Sequence, residues 1–237
     1  MDYQVVEDYG TASSRKLIIA VEVAVVQRHC SNDVDERLAR AHALGNVASL
    51  LRGGANPSTC VHTPLQQYDG REDEDGESVD VEPEESTNAV IIASANGDVE
   101  CLAMLLSSPL ANLGIVDSEG DTALTAASAN GESLCVSALL AAGADVNYRD
   151  SEGRNSLMLA IACGAYECCL ILAPLTDLNA KTSRNKSALD VAKRKGGKVG
   201  AAVTDLLMAI KEADALRNHC PAADQAQPHS RRQPRRL

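Results

Sequence analysis

Cysteine and histidine are the residues of this chain with most to offer a metal ion or a nucleophilic reaction. Three of the eight cysteines, Cys101, Cys135 and Cys168, recur at intervals of thirty-four and thirty-three residues, which gives a ladder of thiols. Cysteine also behaves as a small hydrophobe, and packing is the reading favoured for that ladder. Cys163 with Cys168-Cys169 lacks the closely spaced pairs and matching ligands that a tetrahedral zinc site requires. Cys60 and His62 are two residues apart and His29-Cys30 lies far upstream, a weak basis for a metal centre. Asp73-Glu74-Asp75-Gly76, with Glu82 beyond it, has some of the oxygens of a calcium loop, but Arg71 stands where the first ligand belongs. The five histidines (His29, His42, His62, His219, His229) all fall outside the most regular part of the chain, so no rigid element brings Ser, His and Asp together. Gly196-Gly197 follows no strand and precedes no G-K-[ST], and so reads as a turn rather than a phosphate cradle. No metal, cofactor or small-molecule substrate is expected, and no enzyme activity.

The elements that would have to position such residues are short and repeated. Asp117-Ser-Glu-Gly120 returns as Asp150-Ser-Glu-Gly153 after thirty-three residues, and Leu124 and Gly131 return as Leu157 and Gly164. A period of that length marks stacked supersecondary units, none of which buries its apolar face alone. Within one unit, Asp117 and Gly120 suit a tight turn, and Thr122 is placed to cap a helix whose inner positions are Leu124, Ala127 and Ser128. A second helix follows with Leu134, Cys135, Ala138 and Leu139 as its expected apolar face, and Gly143 ends it. Each helix is about ten residues long, below the ~12–15 at which an isolated helix is even marginal in water. Stacking is therefore obligatory.

The turn D-x-x-G, the T-A-L opening at Thr122, Gly131 and Leu139-Leu-Ala-Ala-Gly-Ala-Asp-Val-Asn147 resemble the ankyrin repeat. The resemblance spans roughly 38 to 212 and is strongest from 117 to 192. It implies an all-α solenoid of about five repeats, the first divergent. The second repeat aligns Val90 with Leu124 and Leu105-Leu106 with Leu139-Leu140, and the fifth aligns Ser187-Ala-Leu-Asp-Val-Ala192 with Thr122-Ala-Leu-Thr-Ala-Ala127. No repeat has the histidine of the family's T-P-L-H opening, which implies weaker hydrogen bonding between neighbouring turns. The resemblance further implies a non-catalytic module that binds another protein through turn tips and the concave face of the first helices. Carried over by position, the contact residues are Ser118, Glu119, Asp121, Ala129 and Asn130, then Tyr148, Arg149, Ser151, Glu152 and Arg154.

Residues 1–37 are expected to be a lead-in with a capping helix, since Lys16–His29 is apolar and could be a buried helix or a strand, with the helix favoured. A helix capped by Asp33 is expected to run to Ala43, with the next beginning after Gly45. Residues 66–86 are expected to be a disordered insertion: between Asp69 and Glu85 ten acidic residues face only Arg71, which accounts for nine of the eleven net negative charges. Ser78 and Ser86 suit an acid-directed kinase. The last repeat is expected to end at Glu212, and 213–237, closing on Arg231-Arg-Gln-Pro-Arg-Arg236, to be a disordered basic tail. With 45% hydrophobic residues but no Phe or Trp, the core must be aliphatic, with Ala and Cys. Leu17–Val26 is half the ~20 residues a membrane span needs, and the N-terminus MDYQVVEDYG lacks the features of a secretory signal. Free thiols in a cytoplasmic or nuclear setting are expected. The acidic balance argues against nucleic acid, the short apolar stretch against a membrane, and the acidic turn residues and insertion for a partner protein with a basic surface. A regulatory or assembly-chaperone subunit docking a basic protein, and a structural subunit of a larger complex, are the rival readings.

Overall fold

A computed structural model describes residues 12–28, 34–63 and 85–219. Among these described residues, ten helices form five consecutive pairs: α1 (Ala12–Arg28) with α2 (Val34–Arg52), α3 (Ala89–Ala95) with α4 (Val99–Leu106), and α5 (Ala123–Asn130) with α6 (Ser133–Ala141). The series continues with α7 (Ser156–Cys163) and α8 (Tyr166–Leu172), then α9 (Ala188–Lys195) and α10 (Gly197–His219). The odd helices pack side by side in an inner layer, α1 on α3, α3 on α5, α5 on α7 and α7 on α9, and the even helices form an outer layer in the same order. Two three-residue strands, β1 (Val61–Thr63) and β2 (Glu85–Thr87), pair antiparallel with Val61 opposite Thr87.

The seam between the layers explains the cysteine ladder. Each central outer helix buries positions i, i+1 and i+4: Cys101, Leu102 and Leu105 in α4, Cys135, Val136 and Leu139 in α6, and Cys168, Cys169 and Leu172 in α8, all fully buried. The inner helices meet them with small or slender residues, among them Ala93, Ala127 and Ala160, also fully buried. Ser94 and Ser128 are buried there too, and each hydroxyl donates back to the carbonyl four residues earlier, at 2.7 Å to Val90 and 2.6 Å to Leu124. No polar hydrogen is left bare in the seam at either position. Leu134 does not belong to that face: it is 70% exposed and Val136 takes the place expected of it. A strip only three residues wide can face the inner layer, and Leu134 precedes it by one helical step of about 100°.

Every inner helix from α3 onward begins with a side-chain cap. Asn88, Thr122, Asn155 and Ser187 accept from the backbone N–H three residues on. At α5 and α9 the reciprocal bond is also made, by Thr125 and Asp190, so local capping boxes stand where the family histidine is absent. At the other end, α10 crosses α9 closely at Gly200, where a Cβ would fall 2.7 Å from the Ala192 carbonyl oxygen.

Three boundaries differ from the sequence reading. Helix α2 runs unbroken through Gly45-Asn46, because Val47 is fully buried and Ala43 nearly so, and their packing outweighs the cost of about 1 kcal/mol for an internal glycine. The inner partner of α2 is thus α1 and not a helix ending at Ala43. Helix α10 passes Glu212 to reach His219, through Ala213, Ala215 and Leu216, which favour helix, with Arg217 3.4 Å from Asp214. Glu85 and Ser86, assigned above to the insertion, pair in β2. Residues 64–84 and 220–237, where the rest of the insertion and tail fall, lie outside the described residues.

Arg40 of α2 ties the first pair to the second. Its Nη2 lies 3.2 Å from Asp98 Oδ1 and 2.9 Å from Glu100 Oε2, and the buried Asp98 also caps α4 by accepting from the Cys101 N–H. Leu139→Ala should destabilise the chain by about 2–5 kcal/mol, the range for a buried leucine, whereas Leu134→Ala should shift the denaturant midpoint hardly at all; equilibrium urea unfolding of the two variants is the measurement.

Candidate partner-binding surface

One turn is built three times along the edge where the inner helices begin. In the first, Asp117 N–H donates to the Asp121 carbonyl oxygen (3.0 Å), while the Asp117 carboxylate accepts from the N–H groups of Glu119 (3.0 Å) and Asp121 (2.9 Å). Asp150 does the same with Arg154 and Glu152. Thr182 repeats it with Lys186, its hydroxyl replacing the carboxylate at 3.1 Å. The fourth residue of each turn has a left-handed backbone, Gly120 at φ +83°, Gly153 at +74° and Asn185 at +57°. Asparagine is the residue after glycine that best tolerates that conformation. The acids of each turn therefore differ in function: Asp117 and Asp150 are consumed in shaping the turn, and of the residues expected to contact a partner, Ser118, Glu119, Ser151 and Glu152 are the ones it exposes.

The turns are also chained to one another. Tyr148 Oη donates to the Gly120 carbonyl at 2.8 Å, Ser183 N–H donates to the Glu152 carbonyl at 2.8 Å, and Asp177 N–H donates to Asn147 Oδ1 at 2.9 Å. These bonds offset the missing histidine and fix the spacing of successive tips. They also commit residues that sequence position alone offered for binding. The Tyr148 hydroxyl serves Gly120, and Arg149 folds onto the Gly153 carbonyl through Nε (3.1 Å) and Nη2 (3.0 Å). Arg154 sits 2.7 Å from Asp150 Oδ2 and 3.6 Å from Glu152. Ala129 and Asn130 are at the far end of α5, about 10 Å along the helix from its tip, where the Asn130 amide donates to the Ala126 carbonyl. The structure brings the two tips together and leaves that pair apart from them.

The residue just before each cap decides the charge of its tip. That position is Asp121 in the first turn, Arg154 in the second and Lys186 in the third. Asp117, Glu119 and Asp121 make the first tip anionic. Arg149 and Arg154 balance Asp150 and Glu152 in the second. Lys181, Arg184 and Lys186 make the third cationic, with no acid between them. Sequence reading missed this reversal by concentrating on the Asp-Ser-Glu-Gly copies; aligning Thr182 with Asp117 would have revealed it. At the first tip, burial lifts the Asp121 carboxyl above the ordinary carboxylate range, the charges of Asp117, Asp150 and Glu119 add to the lift, and Thr125 opposes it. Asp121 Oδ1 is buried without a hydrogen-bond partner.

The pair β1 and β2 is the same turn opened out. Val61 stands opposite Thr87 as Asp117 stands opposite Asp121, and Cys60 lies beside Val116, with Sγ 3.7 Å from its carbonyl oxygen. Where the later turns hold three residues between the paired ends, this one holds residues 62–86.

Elsewhere the thiols are arranged for packing. Burial pushes Cys101 and Cys169 up to about 12 and Cys168 up to about 11, which keeps them protonated and unreactive at neutral pH. Among the described residues, no group of three or more His, Cys, Asp or Glu could hold a metal ion. No helix among them is long and apolar enough to cross a membrane.

Residues 89–186 match the family model for ankyrin repeats, in three copies. That stretch, from α3 to the turn before α9, is made of ankyrin repeats, and such repeats generally serve as protein–protein interaction modules. No curated protein matches the chain.

Two outcomes are expected. A carboxyl whose folded pKa is raised costs stability while ionised, and the cost disappears as pH falls through that folded value. Asp121→Asn should therefore stabilise the chain at neutral pH, with the advantage shrinking as pH approaches the unfolded carboxylate range of about 4; urea midpoints across pH measure it. Among the described cysteines, alkylation of the native chain read by mass spectrometry should label exposed Cys163 well ahead of Cys101, Cys135, Cys168 and Cys169, and denaturant should abolish the difference.

Proposed function

We propose that the chain is a non-catalytic adaptor or scaffold that holds a partner protein against its row of tips, and that the partner meets Glu119, Asp121 and Glu152 with a basic surface. The observation that carries this reading is the charge sequence along the row: anionic at the first tip, balanced at the second and cationic at the third. An ionised Asp121 in a half-buried, like-charged setting gains most from an incoming cation, since that cation relieves the repulsion of Asp117, Asp150 and Glu119. Lys181, Arg184 and Lys186 then ask for an acidic or neutral patch one repeat further along the partner. A partner that is basic throughout is disfavoured at that third tip, which supplies orientation as well as attraction.

A second reading rests on the opened first turn. Because Thr63 and Glu85 are paired in β1–β2, the acidic sequence Asp69 to Glu84 is joined at both ends to the edge that carries the anionic tip. A regulatory or assembly-chaperone subunit that docks a basic protein there fits this placement, with deletion of 69–84 weakening capture. Free thiols among the described residues agree with a reducing compartment, the cytoplasm or the nucleus.

Affinity capture with the full chain supplies the partner, and the test is then kinetic. At low salt, Glu119→Lys combined with Glu152→Lys should slow association by about tenfold, and the gap should close near 0.5 M salt as screening shortens the Debye length to a few Å. Association rates equal for the two proteins at low salt would remove the proposal.

A further inference from the structure

Helix α1 presents two opposite faces of apolar residues, and the fold covers only one. Leu17, Ile18, Val21, Ala24 and Val25 are buried against α2 and α3. On the other side, Ile19 is 59% and Val23 43% exposed, one helical turn apart. They are flanked by exposed Arg15, Lys16 and Glu22. An inner helix with one inner neighbour is expected at the start of a stack, but three large aliphatic side chains in water, with Val26 64% exposed on the same face, are not what a polar terminal cap shows.

We propose that this face is an interface between two copies of the chain, with α1 packed antiparallel on α1 about a two-fold axis near Ile19. The charges select that occupant and that direction. Arg15 and Glu22 stand on the same flank of the helix, seven residues apart, and Ile19 lies between them. A two-fold axis crossing the helix near Ile19 sets Arg15 of each copy beside Glu22 of the other, so the ion pair is made twice and brackets an apolar centre formed by Ile19 of both copies, with Val23 of each just beyond it. The parallel arrangement sets Arg15 against Arg15 and Glu22 against Glu22. Among the described residues neither Arg15 nor Glu22 is engaged in an ion pair. A surface that is its own complement after a half-turn is what an isologous contact requires. This interface uses α1 alone and is independent of the tip row.

Sedimentation equilibrium on the full chain tests it, with circular dichroism to confirm that each variant keeps its helices. The wild-type chain should reach twice the chain mass in the micromolar range. Ile19→Asp should return it to the monomer. Arg15→Glu and Glu22→Arg should each weaken self-association by about tenfold, and the two together should restore it, because the reversed pair meets across the axis as the native one does. Ile19→Cys, next to the axis, should give a disulfide-linked dimer on mild oxidation. A wild-type chain that stays monomeric overturns the proposal, and cross-linking that places its own residues 1–11 on Ile19 and Val23 would name the other occupant. A dimer indifferent to Ile19→Asp and to both charge reversals overturns it equally.

Discussion

Everything in this molecule depends on helices too short to stand alone sharing one continuous seam. Units of seven to nine residues, such as α3 to α9, form only because Cys101, Cys135 and Cys168, with the aliphatic residues beside them, close over small inner-layer side chains. The seam leaves little latitude in side-chain size. Alanine on the inner helices lets the layers approach, and cysteine on the outer ones fills what remains without the bulk of leucine. Phenylalanine and tryptophan, absent from the whole chain, have no place in so thin an interlayer.

The same constraint determines where binding chemistry can reside. Residues committed to the seam are silent toward partners, and the turn-forming carboxylates are spent on backbone N–H groups. What is left to vary is the outer rim of each tip and the residue before each cap, and there the chain changes from Asp121 to Arg154 to Lys186. A row of near-identical turns, spaced by the Tyr148–Gly120 and Ser183–Glu152 hydrogen bonds, thus becomes a row of different charges. Rigidity of spacing comes from the main chain and identity comes from one side chain per turn.

How far the sequence could be read follows from this division. The thirty-three-residue echo of Asp-Ser-Glu-Gly, the cap positions and the cysteine ladder announced the repeat, because period and turn chemistry are local. The unbroken α2 was not legible, because it depends on burial against a neighbour: Val47 and Ala43 override Gly45, which in isolation reads as a stop. The end of α10 was missed for another reason, since exposed Ala213, Ala215 and Leu216 carry the helix on by their own propensity. Leu134 was misassigned because a strip three residues wide is narrower than the apolar run that contains it. In the candidate surface, Tyr148, Arg149 and Arg154 lay at the expected positions, and only coordinates could show that their polar groups already have partners within the turns. Asn185 did the work of a glycine under another name, so the cationic third tip escaped notice.

The paired strands at Val61 and Thr87 carry one further consequence. Since the two ends of that first turn are clamped by the ladder and Thr87 leads directly into the cap of α3, the register of every later helix is set without reference to the number of residues in between. The stack is indifferent to cargo at this point. A foreign peptide or a small domain whose termini lie close together could be grafted between Thr63 and Glu85, and the solenoid would display it from the same edge on which its own tips stand.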